Sequence, residues 1–212
     1  MRIVVTAGPT REYIDSVRFV SNASSGIMGY SVARVASRRG HDVVLISGPV
    51  ALKPPKGVFV VPVTSAEEMR KETLKWIKRS NALVMTAAVA DFRPLRRIKG
   101  KMKKEGKKKL TLHLERTPDI LGEVARIRSK QLTVIGFALE ENTKSLASAE
   151  KKMAMKRLDM IVLDGVNAIG SKDGEFVLIT PDRHIYRART SKLNIAEKIV
   201  DFIEKKQKEN PF

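Results

Sequence analysis

Short apolar runs alternate along this chain with stretches of helical spacing, and that alternation limits the possible folds more than any other feature. "RIVVTAG" (2–8), "DVVLISG" (42–48), "VFVVPV" (58–63), "ALVMTAA" (82–88), "TVIGFAL" (133–139) and "MIVL" (160–163) read as buried strands. Between the first two, Met28, Val32, Val35 and Ala36 stand at helical spacing within 26–39, and Gly40 follows as a stop. "TSAEEMRKETLKWIKRS" opens with Ser65 and Glu68 at capping-box spacing and predicts a helix. Further helices are expected near 118–128 and 145–157. "GEFVLITPDRHIYRART" reads as a hairpin, and the tail from Ser191 as an amphipathic helix with Leu193, Ile195, Ile199 and Ile203 facing inward. The pattern predicts an α/β fold: a doubly wound, mainly parallel, Rossmann-like sheet with helices on both faces and a C-terminal β-hairpin plus helix. No repeat or linker divides the chain, so residues 1–212 are expected to form one domain.

Ligands of such sheets sit at the carboxyl ends of the strands. That directs attention to the loops at 8–26, 86–109, 136–144 and 164–174. After the first strand a dinucleotide-binding chain would show G-x-G-x-x-G; "TAGPTREY" lacks it. The chain instead runs on for about 17 residues before the next helix, against about 2–6 for an ordinary connection. Within it, "FVSNASSGIMGY" (19–30) sets Ser24, Ser25 and Gly26 at a helix start, where hydroxyls and bare N–H groups suit an anion. The plainer reading is a serine cap with no ligand. In "TAAVADFRP" (86–94) small residues admit a ligand to the backbone, and Asp91 can meet a ribose hydroxyl or a metal ion, or simply form a turn. "RTPDIL" (116–121) carries Thr117 as an expected N-cap and Pro118 at the first helical position. Lys152 and Lys156 lie four apart on one helix face, a like-charge spacing that a bound anion or water would relieve.

Net charge is +18, and the segment "KGKMKKEGKKK" (99–109), with seven lysines and one glutamate, supplies +6 of it. This balance favours an anionic partner. The segment reads either as a solvated loop or as a basic flap hinged at Gly100 and Gly106 that closes over phosphates. Cysteine is absent, which removes disulfides and thiolate chemistry and fits a reducing interior. No apolar run reaches about 18 residues and no signal-peptide core opens the chain. The expectation is a cytoplasmic protein with no membrane partner.

Taken together, "TAGPTREYIDSVRFVSNASSGIMGY", "SGPV", "AAVADFRP", "KMKK", "TPDIL", "GFALE" and "KRLD" resemble, in order and spacing, the phosphopantothenate–cysteine ligase family of coenzyme A biosynthesis. The resemblance covers nearly the whole chain. The bifunctional form of the family carries a flavin-dependent decarboxylase ahead of this module; at this length the resemblance implies the free-standing ligase as the expectation. The family's reaction implies activation of the carboxylate of 4'-phosphopantothenate by a nucleoside triphosphate, usually CTP with ATP as the alternative. Cysteine then attacks the acyl-nucleotide. Mg2+ would bridge triphosphate oxygens, with no direct protein ligand assigned.

By the same resemblance, Asn22 orients the acyl intermediate and serves the second step. Lys101, first lysine of the "KxKK" flap, serves the first. Nucleotide contacts fall on Ser24, Ser25, Gly26, Met85, Thr86, Ala87, Asp91, Lys101, the turn Pro118, Asp119, Ile120 and Leu121, and on Phe137, Lys152 and Lys156. Asn22 and Ala88 are the substrate-binding positions. A homodimer is implied, with the hairpin at 175–189 a candidate contributor. Two departures stand out: Ile27 replaces a lysine in "SSGKMG", and "LDG" at 163–165 replaces "AND". The rivals are a nicotinamide-dependent reductase, which lacks its glycine fingerprint, and a nucleic-acid-binding protein. The latter rests on charge alone, with aromatics only 5% of the chain. No nucleic-acid partner is expected.

Overall fold

The computed structural model describes residues 1–103, 109–140, 146–165 and 170–209. The chain opens with β1 (Arg2–Ala7), an arm of two short strands β2 (Arg11–Tyr13) and β3 (Phe19–Ser21), and α1 (Ile27–Arg38). β4 (Asp42–Ser47), β5 (Val58–Pro62), α2 (Ala66–Trp76) with a 3-10 turn at Ile77–Arg79, and β6 (Ala82–Met85) follow. A second arm, β7 (Phe92–Pro94) and β8 (Leu114–Arg116), precedes α3 (Ile120–Ile127), β9 (Thr133–Glu140), α4 (Leu146–Met155) and β10 (Met160–Gly165). The hairpin β11 (Asp173–Ile179) and β12 (Ile185–Ser191) leads into α5 (Lys192–Glu209).

Eight strands form one sheet in the order β12-β11-β10-β9-β6-β1-β4-β5. From β10 to β5 every pairing is parallel; β11 and β12 close the far edge antiparallel. This is the expected α/β class. Alternation along β1 shows why both faces are covered. Ile3, Val5 and Ala7 point to a core shared with α1 and α5, while Val4 joins the opposite core with Met69 of α2, Val124 of α3 and Met153 of α4. All four strand residues are fully buried. Fully burying a Val or Ile contributes ~1.5–3 kcal/mol before entropy is counted, so the apolar runs can rest only inside such a sandwich.

The expected cap ahead of α2 forms: Ser65 accepts from the Glu68 N–H at 3.2 Å, and the Glu68 carboxylate reaches back one residue beyond the cap to accept from the Thr64 N–H at 2.8 Å. Two local expectations need correction. Thr117 and Pro118 do not start α3. Asp119 is its N-cap, accepting from the Gly122 N–H at 3.0 Å. A residue ahead of proline is pushed to extended backbone, and Thr117 accordingly ends the second arm, its N–H donating to the Asp91 carbonyl at 2.9 Å. In α5, Leu193 is 38% exposed. The buried stripe runs through Lys192, Ile195, Ala196, Ile199, Val200 and Ile203, which leaves Leu193 out of phase by about a quarter of a turn.

The chain moves from β1 outward to β4 and β5, then returns across β1 to β6, β9 and β10. The order therefore reverses between β1 and β6, and the carboxyl ends of those strands flank an open crevice. Both arms lie at that end of the sheet: Pro9 bridges Ala88, and the Thr10 hydroxyl accepts from the Ala90 N–H at 2.9 Å.

Candidate active site

α1 opens with Gly26 as N-cap, at φ 76°, and has no side-chain cap. Of the two readings of this stretch, the serine cap does not form: the Ser24 hydroxyl accepts from the Gly26 N–H at 3.4 Å and caps no helical N–H. Glycine is required at 26 by its left-handed backbone, and a Cβ there would also stand 2.9 Å from Val50. Three residues on, a Cβ on Gly29 would meet the Ala7 side chain at 2.5 Å and the Thr86 hydroxyl at 2.6 Å. Those small contacts let the first turn of α1 lie directly over the ends of β1 and β6.

The result is a cleft of about 910 Å³ at the switch point. Asn22, Ser24, Ser25 and Gly26 form one wall. The floor is Met85, Thr86, Ala87 and Ala88 where β6 ends, with Phe137 from β9. Asp91 and the turn Pro118, Asp119, Ile120 and Leu121 close a second side, and Lys152 and Lys156 of α4 a third. Positions spread across well over a hundred residues of sequence thus meet in one place. Lys101 is the exception. It does not line the cleft; its side chain is exposed on the segment leading from the second arm. Lys103 and Lys109 are exposed too, while 104–108 of the basic flap, with Gly106, Lys107 and Lys108, lie outside the described residues.

Asn22 is held at the end of β3. Its Nδ2 donates to the carbonyls of Val89 at 2.9 Å and Ala88 at 3.3 Å. Both amide donors are spent on the loop after β6, so the side chain ties wall to floor and leaves its oxygen for a ligand donor. Lys156 forms an ion pair with Asp119. Partial burial pushes the Asp119 carboxyl up, but Lys156 and the Gly122 N–H outweigh it and hold the group below its ordinary value. That pair is how the protein itself answers the like-charge spacing of Lys152 and Lys156. Lys152 reaches the Phe137 carbonyl at 3.4 Å and keeps donors to spare.

Three further charged groups stand on the cleft wall, Arg116, Asp164 and Lys192, of which the sequence marked only Asp164, as part of the departure at 163–165. Asp164 belongs to the "LDG" that breaks the family pattern. Its Oδ1 is enclosed with no hydrogen-bond partner among the described residues. Burial pushes its carboxyl up to about 6, with Lys192 pulling the other way. The Lys192 ammonium is lowered by burial and partly restored by Asp164. Arg116 directly precedes the Thr117-Pro118 pair, a position from which its place could have been inferred. Nothing in the local sequence marks Lys192. Among the described residues, no group of three or more His, Asp or Glu stands together as a metal cage. No described helix is long and apolar enough to cross a membrane.

The sheet order and the cleft at its reversal define an α/β protein of the doubly wound kind, with a candidate site built from strand ends and one helix start. The chain belongs to the family described as DNA/pantothenate metabolism flavoprotein C-terminal domain, whose model matches residues 1–207. It is 47% identical over 174 residues to the coenzyme A biosynthesis bifunctional protein CoaBC of Bacillus subtilis, covering 81% of this chain and 42% of that protein. It is 38% identical to the CoaBC of Vibrio parahaemolyticus, covering 94% of this chain and 51% of that protein. The chain thus spans about half the length of the curated relatives it matches. Among solved structures, the C-terminal domain of a CoaBC superimposes with a TM-score of 0.84 at 35% identity, covering 99% of this chain and 96% of that one. A Cab2 mutant in complex with phosphopantothenate-cysteine shares the fold at a TM-score of 0.82 and 16% identity, covering 100% of this chain and 89% of that one.

Proposed function

We propose that this chain is a phosphopantothenate–cysteine ligase that forms an acyl-nucleotide in the cleft and then condenses it with cysteine, in the cytoplasm. One observation carries the reading above the rest: Asn22, the β6 end, the 118–121 turn and the α4 lysines converge on a single cleft at the switch point. The likeness to the C-terminal domain of CoaBC supports the pathway. The phosphopantothenate-cysteine bound to Cab2 names the product expected here.

Neither step requires a side-chain nucleophile. The substrate carboxylate attacks the α-phosphorus of CTP, with ATP as the alternative, and the bond to the pyrophosphate leaving group breaks. The amine of cysteine then attacks the acyl carbon, the nucleoside monophosphate leaves, and the amine loses a proton as the amide forms. The protein supplies position and charge. The small-residue floor at Thr86, Ala87 and Ala88 lets the nucleotide lie on the backbone. Lys152 carries charge toward the phosphates, and Lys156 joins it when phosphate replaces Asp119 as its partner. In the second step Asn22 must exchange a backbone carbonyl for the oxyanion, or use its oxygen to hold the incoming amine. Lys101 acts on the first step, reaching the phosphates by movement of the flap or from a second subunit. Magnesium would come with the triphosphate and help neutralise its charge.

A homodimer is part of the proposal. The exposed apolar side chains Leu95, Leu110, Leu112 and Leu114, along the second arm, give a partner more apolar surface than Ile185 and Tyr186 on the C-terminal hairpin. The test of the whole reading is pyrophosphate release with phosphopantothenate, run with CTP and with ATP, each with and without cysteine. Release that depends on phosphopantothenate supports it. Release indifferent to phosphopantothenate would reject it.

A further inference from the structure

The residues assigned to the two chemical steps hang from one arm. β3 runs directly into Asn22, and the turn at 14–18 that joins β2 to β3 holds the base of the basic segment. The Ile98 N–H donates to the Ile14 carbonyl at 2.8 Å, and the Ser16 N–H to the Gly100 carbonyl at 3.1 Å. The Met102 N–H donates to Asp15 Oδ2 at 3.1 Å, and the Arg18 guanidinium reaches the Met102 carbonyl at 3.5 Å. These bonds bracket Lys101 on both sides while leaving its side chain exposed.

Asp15 is the centre of that arrangement and is fully enclosed. Its Oδ1 accepts from the Val17 and Arg18 N–H groups, both at 2.7 Å. Its Oδ2 accepts from Arg18 Nη1 at 2.7 Å as well as from Met102. The backbone N–H of Arg18, then that of Val17, hold the carboxyl down to about 2 against burial, so it is ionised at any working pH. A carboxylate needed only to close a three-residue turn would be satisfied by the turn's own donors. Here one oxygen is shared with a residue 87 positions away. Gly100, at φ 74° with open space around it, supplies the bend that brings the segment onto the arm.

We propose that Asp15 is a positioning residue for Lys101: it latches the backbone at Met102 to the arm that carries Asn22 and so fixes where the Lys101 side chain starts. The inference rests on the ligase reading. It makes the arm a common mount for the charge of the first step and the amide of the second.

The test measures both chemical steps in single turnover for Asp15→Asn, Lys101→Gln and the double variant. Asp15→Asn is expected to slow acyl-nucleotide formation about 10²-fold and to leave amide formation within about two-fold, since a displacement of about 1 Å costs that much. The double variant is expected to be no slower than Lys101→Gln alone, because both changes remove one contribution. Effects that multiply, or equal losses in both steps, overturn the proposal. Loss of an enclosed carboxylate can unfold the arm, so Met102→Pro is the second variant. It deletes the donor to Oδ2 and keeps the turn's own bonds. The same step-selective loss at an unchanged Tm is expected, and a wild-type first step overturns the latch. Hydrogen exchange gives a reading without activity: the Met102 amide is slow in the wild type and fast in Asp15→Asn, and a fast amide in the wild type overturns the latch as well. A wild type that forms no acyl-nucleotide sinks the ligase reading and the positioning role with it. Intact chemistry with multiplying variants sinks only the positioning role.

Discussion

The floor of the cleft and its two arms are built on opposite principles. On the floor, β1, β6, β9 and β10 are parallel neighbours whose inner residues, among them Val5, Leu83, Ile135 and Ile161, are completely buried. The arms are three-residue strand pairs that leave Phe19, Phe92, Leu112 and Leu114 exposed by 37–46% and rely on hydrogen bonds to one another and to the floor. Floor side chains give up all their freedom to packing and can only present backbone and small groups to a ligand. The arms keep side chains and carbonyls that can change partner. In this protein the residues proposed to hold the nucleotide stand mainly on or beside the floor, whereas Asn22 and Lys101, proposed to serve the two chemical steps, stand on the arms.

The largest expected effect tests the rigid half. Ile161→Ala, in the buried middle of β10, should cost about 2–5 kcal/mol in a denaturant titration. Leu112→Ala on the exposed arm should cost no more than about 0.5 kcal/mol in the monomer. Equal losses would erase the distinction.

The next effect belongs to the arm. Asn22→Asp should permit the first step and slow the second by about 10²–10³-fold, because a carboxylate repels the oxyanion that forms as cysteine attacks. Acyl-nucleotide should then accumulate and be seen by mass spectrometry. Normal product formation would remove Asn22 from the chemistry.

Lys101→Gln should slow acyl-nucleotide formation by about 10²-fold at saturating nucleotide. Replacing Lys107, Lys108 and Lys109 together should do far less. The reverse order in a pyrophosphate assay would show that a different lysine of the flap reaches the phosphates.

The smallest effect sharpens the contrast at Asp164, where a charged group faces the floor's packing. Its carboxyl sits at about 6 in the folded protein against an ordinary 3.8. Between those values the folded state holds a proton that the unfolded state has lost, so this group's contribution to stability falls as pH rises from about 4 to about 6. Asp164→Asn should remove that decline and leave the protein more stable by about 1–2 kcal/mol near pH 7, a figure reduced for the group's partial exposure. Parallel Tm profiles from pH 4 to pH 7 for variant and wild type would contradict this. Asp15, with its depressed carboxyl, runs the other way: its stabilisation is present above pH 4 and is lost only on approach to about 2.

The floor was legible because parallel strands buried on both faces write themselves as unbroken apolar runs, and because Ser65 and Glu68 fix a helix start through their own atoms. The arms were not. Three residues such as "REY" or "LER" carry no periodicity, and their pairing comes from bonds between positions far apart, as between Thr10 and Ala90. The same reason explains the misplaced start of α3, where Thr117 is claimed by the Ala90 carbonyl at 2.6 Å and the second arm instead of by the helix. Leu193 misled because its apolar character suggested the core and the phase of Ile195, Ile199 and Ile203 did not. At the site, the positions drawn from the "SNASSG", "TPDIL" and "KRLD" stretches meet in the cleft. Asp164 lies in the departure at 163–165 that the sequence already marked, whereas Lys192 comes to the wall through the sheet order, which no local stretch of sequence records.

The most direct test of the central claim, that the cleft holds an acyl-nucleotide, is mass spectrometry of the wild-type protein incubated with phosphopantothenate, magnesium and CTP in the absence of cysteine. About one equivalent of acyl-cytidylate per site is expected, formed with matching pyrophosphate and consumed when cysteine is added. Amide product appearing with no nucleotide adduct of phosphopantothenate at any time, with CTP or with ATP, would contradict it.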